Sequence, residues 1–372
     1  MIIGVPKEIK ENESRVSLIP EYIPILKRNG HEIRVEEGAG RESGFSDHDY
    51  EKVGAIVSNN NSVVWSADLI IKVKEPQESE FKYFRPDLVL FTFLHLAAFP
   101  VLTKVLLKEK VTAIDYATVE LPGGVLPILK PMSEIAGKLA VQKGAQYLEK
   151  INGGKGILLD GANVLILGGG NAGKSAAGIA LGMGANVIIM EKNTQKHSHI
   201  ETDLLLEYDA IAYNKLVVME ADEENLKRVV RKLDLLIGAT LLVGERAPKI
   251  VTEEMVETME KGSVIVDISI DQGGCIQLSQ PTTHKNPVFK KHGVTYYCVS
   301  NMPAIVPRTA TKALLKETFS YIQYLADSGF KKATTEVSAL EKGVNTCGGV
   351  ITHKGLAKAF GVKHVPLKTF FK

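Results

Sequence analysis

The sequence predicts an α/β protein of two Rossmann-like, doubly wound domains, one inserted into the other. Three observations carry this. Short apolar runs alternate with helical stretches along most of the chain, the pattern of parallel sheets flanked by helices. Residues 163–191, NVLILGGGNAGKSAAGIALGMGANVIIME, hold a glycine fingerprint in its full strand–turn–helix–strand context. Two proline-marked breaks, Pro122 to Pro131 and Pro307, bracket that segment and read as a crossing out of the first domain and a return to it. The expected bounds are 1–130 with 307–372 for one domain and 131–306 for the other.

The chain has 372 residues, 45% hydrophobic and 24% charged, an ordinary globular composition long enough for two sizeable cores. Net charge is +2 with no basic block, so nothing points to nucleic acid. Three dispersed cysteines, Cys275, Cys298 and Cys347, make neither a disulfide framework nor a metal site, and a reducing cytoplasm is the simplest compartment. The N-terminus, MIIGVPKEIKENESR, turns charged too early for a secretory signal. His95, Pro100 and Lys104 interrupt the most apolar stretch, Leu88 to Leu107, so no membrane span is expected.

Taken in order, Ile2 to Val5 is a strand closed by Pro6 and followed by the polar loop KEIKENESR. Pro20 suits the first turn of a helix through Arg28, stopped by Gly30. Strands are expected at Glu32–Glu36, Asp68–Val73, Leu88–Leu94 and Thr112–Tyr116, with a helix near Leu102–Lys108. Lys74 and His95 stand where two of these strands end, and ligands of open α/β sheets lie beyond such ends. Each reads either as a ligand group or as a solvated lysine and a core-edge histidine. Ser133 can cap a helix running to about Lys150, with Gly137 and Gly144 on one face for close packing against another helix.

Asn163 to Leu167 then forms a buried strand. Gly168 permits a tight turn, Gly170 lets a pyrophosphate approach the backbone, and Gly173 lets helix and strand pack closely. Glu191, ending the second strand, can accept hydrogen bonds from adenosine ribose hydroxyls, which makes the unit a dinucleotide site. From there to Leu226 the chain is polar without a clear period. Further strands are expected at Leu233–Ile237, Ser263–Ile270 and Val294–Val299. Their ends carry Ala239-Thr240-Leu241, Asp271-Gln272-Gly273-Gly274 and Asn301-Met302-Pro303, all on the edge of the glycine turn. Asp271 either faces the cleft or only caps its glycine-rich turn. Pro307 opens a return helix to about Asp327, after which the chain rejoins the first domain.

Seven blocks carry a resemblance: GVPKEIKENESRVSL from Gly4, GAGRESGFSD from Gly38, IKVKEP from Ile71, FTFLHLAA from Phe91, PMSEIAGKLA from Pro131, KGSVIVDISIDQGG from Lys261 and NMPAIVPRTAT from Asn301. In this order they resemble the NAD-dependent alanine dehydrogenase/proton-translocating transhydrogenase family, and within it the alanine dehydrogenases. The resemblance implies a substrate domain built from both chain ends, an inserted NAD domain and a homohexamer. It implies reversible oxidative deamination of L-alanine to pyruvate and ammonia. By residue, it implies that Arg15 binds the substrate carboxylate, Lys74 the pyruvate oxygen, that His95 is the acid/base, and that Asp271 assists beside the nicotinamide. Ser133 would meet the cofactor phosphates. Asn301 and Met302 would line the nicotinamide end, and Ala239 and Leu241 complete the cofactor-binding set.

The residue types suit these roles. Arginine offers a planar fork for a carboxylate, histidine a proton carrier near neutrality, and lysine a cation for oxyanion character. The two sheet edges are expected to close over a cleft. The chain departs from the family at GGGNAG in the turn, at Glu191 in place of the usual aspartate, and through the poorly matching segment after it. Three rivals remain. A soluble transhydrogenase component would lack the histidine of FLHLAA and the DQGG block. An opine-type reductase, such as a carboxyethylornithine synthase, would need a wider pocket. Against a non-catalytic dinucleotide-responsive interaction protein stands the full set of Arg15, Lys74, His95 and Asp271.

Overall fold

The computed structural model describes residues 1–240 and 247–371. It divides into two compact units, Met1–Met132 with Ala304–Lys372, and Ser133–Pro303. Each contains an open sheet with helices.

Among the described residues, the first unit's sheet has eight strands in the order Val350–Ile351, Val344–Cys347, Thr112–Asp115, Val89–Thr92, Leu69–Ile71, Ile2–Val5, Glu32–Glu36, Ile56–Ser58. Its six N-terminal strands are parallel, and Val344–Cys347 adds antiparallel to Thr112–Asp115. The strand order therefore reverses between Ile2–Val5 and Leu69–Ile71, and that is where a doubly wound sheet opens a crevice. The central strands are buried on both faces, as parallel strands between helix layers must be: Ile3, Leu69, Ile70, Leu90 and Phe91 are fully inaccessible.

The second unit repeats the plan. Among the described residues, its seven strands run Val288–Lys291, Val294–Tyr297, Val264–Asp267, Leu235–Gly238, Asn163–Leu167, Asn186–Glu191, Leu216–Glu220. All pairs are parallel except the edge hairpin of Val288–Lys291 with Val294–Tyr297. Here the order reverses between Asn163–Leu167 and Leu235–Gly238. One face of this sheet is sealed by a core of Leu165, Leu236, Ile265, Val256 and Tyr296. Each such side chain contributes about 1.5–3 kcal/mol on burial.

Several expected elements differ in detail. Ser133 does not cap its helix, which runs Leu129–Leu148 and holds Ser133 one turn inside. Pro131 is tolerated there because the first turn's N–H groups have no helical partner to lose. Gly137 does pack against a helix, since a Cβ there would lie 2.1 Å from the Ala172 carbonyl oxygen. Gly144 instead faces a strand, with the Leu235 side chain 2.5 Å from such a Cβ. The stretch without a clear period folds as helix His197–Tyr213, strand Leu216–Glu220 and helix Glu223–Val230. The expected strand Ser263–Ile270 stops at Asp267, whose carboxylate accepts hydrogen bonds from the N–H groups of Ser269 at 3.1 Å and Cys275 at 3.0 Å. The chain turns there into the short 3-10 helix Ile268–Gln272. The return helix runs to Glu336, with non-helical backbone at Gly329. No helix among the described residues is long and apolar enough to cross a membrane.

Candidate active site

In the first unit, the chain leaving Ile2–Val5 at the switch point becomes the irregular segment that bears Arg15, and the chain leaving Leu69–Ile71 beside it bears Lys74. Arg15 is only 2% exposed, so it is no surface arginine in a polar loop. Its Nε donates to Glu13 Oε1 at 2.7 Å and its Nη2 to Glu13 Oε2 at 2.6 Å, a two-bonded fork that fixes the guanidinium plane. Nη1 lies 3.0 Å from Met132 Sδ. The next residue is anchored by its N–H, which donates to Thr311 Oγ1 on the return helix at 3.1 Å. Lys74 is half-buried, and its carbonyl accepts the Thr92 hydroxyl at 3.0 Å. That bond ties it to the end of strand Val89–Thr92, from which His95 follows.

His95 is exposed and its backbone is left-handed, φ 48°. Its N–H donates to Asp115 Oδ2 at 3.1 Å, while Leu94 N–H donates to Oδ1 at 3.2 Å. Asp115 ends the neighbouring strand, so one carboxylate shapes the turn that presents the imidazole. The ring stacks on Phe93 at 5.8 Å between centroids and 6° between planes. Arg15, Lys74 and His95 thus issue from the carboxyl ends of three adjacent strands of one sheet.

In the second unit, the glycine turn is built as its spacing requires. Gly168 has φ 102°, a conformation in which an L side chain is strained, and a Cβ there would sit 2.8 Å from the Ala239 carbonyl oxygen. At Gly173 a Cβ would lie 1.9 Å from the Gly168 carbonyl oxygen, whereas at Gly170 it would meet nothing within 4 Å. The first two glycines named serve the protein's own packing, and Gly170 leaves open space above the turn. Glu191 closes the arrangement: Gly169 N–H donates to Oε2 at 3.0 Å and Asn193 N–H to Oε1 at 3.0 Å. Ala239 borders the turn, its N–H donating to the Leu167 carbonyl at 2.9 Å. Ser133 is half-buried one turn before Gly137, which packs on the first turn of helix Asn171–Gly182. Asn301 N–H donates to Asp271 Oδ1 at 3.2 Å, which joins two of the strand-end loops, and Met302 beside it is 3% exposed. Leu241 lies outside the described residues.

Sequence reasoning missed the acids that hold these groups. Glu13 and Glu8 sit in what reads as a solvated loop, Asp115 and Asp267 at the ends of apolar strands. Burial raises the Asp267 carboxyl above its ordinary value, against hydrogen bonds that lower it. The one available signal was an acid closing a short apolar run, Ala113-Ile114 before Asp115 and Val264-Ile265-Val266 before Asp267.

Two doubly wound units, one of them bearing a glycine turn with an acid at its second strand, define a two-domain protein of the Rossmann type. Residues 4–136 match the N-terminal domain of the alanine dehydrogenase/PNT family, and residues 140–354 match its C-terminal domain. The chain belongs to that family. It is 46% identical to an alanine dehydrogenase of Staphylococcus haemolyticus over 100% of both chains. It is likewise 46% identical to an alanine dehydrogenase of Methanococcus maripaludis over 98% of both. A solved L-alanine dehydrogenase superposes with a TM-score of 0.91 at 42% identity, covering 97% of this chain and 99% of that one.

Proposed function

We propose that the protein is an NAD-dependent alanine dehydrogenase, converting L-alanine, NAD⁺ and water to pyruvate, ammonium, NADH and a proton, reversibly. What supports this beyond family membership is that the segments bearing Arg15, Lys74 and His95 follow three adjacent strands of one sheet. NAD supplies the hydride acceptor for the substrate Cα. The open space at Gly170, the unstrained close packing at Gly168 and Gly173, and the fixed Glu191 carboxylate fit such a dinucleotide.

The first unit is the substrate domain. Arg15 grips the substrate carboxylate from a position that Glu13 fixes in advance. Lys74 hydrogen-bonds the pyruvate carbonyl oxygen and stabilises negative charge there during reduction. His95 takes the proton that frees the alanine amine and releases it to solvent, then takes one from the water that attacks the iminium carbon and returns it to the nitrogen that leaves as ammonia. The second unit is the NAD domain, with Ser133, Gly168, Gly170, Gly173, Ala239, Leu241, Asn301 and Met302 binding the cofactor and Asp271 assisting the chemistry. The enzyme acts in the cytoplasm as a homohexamer. NADH formation with L-alanine, beside NADH loss with pyruvate plus ammonium, tests this reading. Faster NADH loss with pyruvate plus L-ornithine would assign an opine-type reductase instead.

Two predictions follow from the cofactor side. Glu191 favours ribose hydroxyls and repels a ribose phosphate, so kcat/KM for NAD should exceed that for NADP by about tenfold or more. Replacing Glu191 by Ser should narrow the gap, and equal values for the wild-type protein would contradict the role. Gly173→Ala must push the helix off the strand and is expected to lower urea stability by about 1–3 kcal/mol. Gly170→Ala should keep stability within about 0.5 kcal/mol and weaken NADH binding, because its methyl enters only the space left for the cofactor. Unchanged NADH affinity in the Gly170→Ala protein would move the pyrophosphate elsewhere.

A further inference from the structure

The segment bearing Arg15 has no regular secondary structure between residues 6 and 19, yet it is held to the segment bearing Lys74 by three polar ties. Ser17 Oγ donates to the Ile71 carbonyl at 2.7 Å. Lys10 pairs with the buried carboxylate of Glu75. The third tie is Glu8. Its Oε1 accepts the N–H of Val73, the residue before Lys74, at 2.6 Å, and its Oε2 lies 3.2 Å from Lys72 Nζ. Lys72 also donates to Glu80 Oε1 at 3.0 Å, and Glu80 Oε2 accepts Gln77 N–H at 2.7 Å. All three charged side chains are at most 6% exposed.

We propose that Glu8 is a positioning residue: a buried carboxyl that fixes the backbone bearing Lys74 against the segment bearing Arg15, and whose proton sets how well the two cations grip a 2-oxo acid. The inference rests on the substrate roles assigned above to Arg15 and Lys74. One lysine lies between two buried carboxylates, so the cluster carries an excess negative charge unless one acid is protonated. Burial favours the protonated form at Glu8. Burial pushes it up from the ordinary 4.5 to about 7; Lys72 and the Val73 N–H oppose that shift, and Glu13 and Glu80 add to it. Other titratable groups around it are Tyr116, which feels the Glu8 charge, and Glu36 with Lys7, which interact with Lys72 or its neighbours. Ionised, Glu8 accepts strongly from Val73 N–H and pairs with Lys72. Protonated, it is a weaker acceptor, and the loop is held less firmly.

The test measures pyruvate KM, kcat and NADH affinity between pH 6 and 9 for the wild-type protein and for Glu8→Gln. The wild type should show a KM that falls as pH rises through about 7. In Glu8→Gln, KM at pH 8 should rise about tenfold and lose its inflection, with kcat within about threefold and NADH affinity unchanged, as expected when pre-organisation of the substrate site is lost. A second readout is stability. A carboxyl raised in the folded state stabilises fully below its unfolded pKa, and the contribution is lost as pH rises through the folded one. Wild-type stability should therefore decline between pH 4.5 and 7 relative to that of Glu8→Gln. A Glu8→Gln protein with wild-type KM and an unchanged inflection overturns the proposal. Should that variant fail to fold, Glu80→Gln decides. Removing a neighbouring negative charge lowers the Glu8 pKa and must move the KM inflection to lower pH, and an unmoved inflection overturns the proposal. A wild-type protein without alanine or pyruvate turnover overturns the assigned function and this role together, whereas an active wild type with an indifferent Glu8 overturns this role alone.

Discussion

The His95→Asn protein should fold, bind NADH normally, and lose about 10²-fold or more of its alanine turnover, the usual size of a missing general acid/base. Asparagine is the informative replacement because position 95 is left-handed, φ 48°, a conformation that Asn adopts with little strain and Ala does not. It preserves the backbone N–H that Asp115 holds, yet cannot carry a proton near neutrality. The glycine turn and Glu191 belong to the other unit, so cofactor affinity has no reason to change. If the imidazole serves only to stack on Phe93, the variant should instead lose stability while its folded fraction keeps its turnover. Melting temperature, NADH affinity and turnover measured on one preparation separate the outcomes. A stable variant with near-normal turnover would rule out the acid/base role.

Arg15→Met is expected to fail twice. Pyruvate KM should rise about 10²-fold, since a two-bonded carboxylate grip is lost at a desolvated site. Stability should fall by about 3–5 kcal/mol, because Glu13, whose side chain is 0% exposed, loses both bonds to its guanidinium partner. Arg15→Lys keeps a charge but not the fork, and should recover only part of either loss. Urea unfolding and pyruvate kinetics check the two independently. A variant with normal KM and lowered stability would leave Arg15 a purely structural residue.

How much of this was legible in the chain depended on how local the determinants were. Strand Asn163–Leu167 and the acid at Glu191 could be read to the residue, because glycines at fixed spacing and a short apolar run are local signals. The start of helix Leu129–Leu148 was misplaced because Ser133 looks like a cap, and only the tertiary path shows that the helix has already begun. Helix His197–Tyr213 escaped because exposed residues such as Leu206 blur its apolar face. In the candidate site, Arg15 was implied only by the family resemblance, while Lys74 and His95 were visible as residues at strand ends. The acids that orient them were not. Glu8 meets Val73 and Lys72 only because two strands far apart in sequence are neighbours in the sheet, and no spacing within KEIKENESR encodes that distance.

The route of the first sheet has a consequence for synthesis. Strands Ile2–Val5 through Thr112–Asp115 emerge from the ribosome first, but the strand that covers the Thr112–Asp115 edge, Val344–Cys347, is made only after all of Ser133–Pro303. The contiguous second unit can therefore finish folding while the older half of the first still shows bare N–H and C=O groups along one strand. A nascent or truncated chain ending before Val344 carries that row as a template for pairing with another chain. Translational pausing or premature termination before Val344 thus exposes a specific adhesive edge, one that strand Val344–Cys347 closes once it is made.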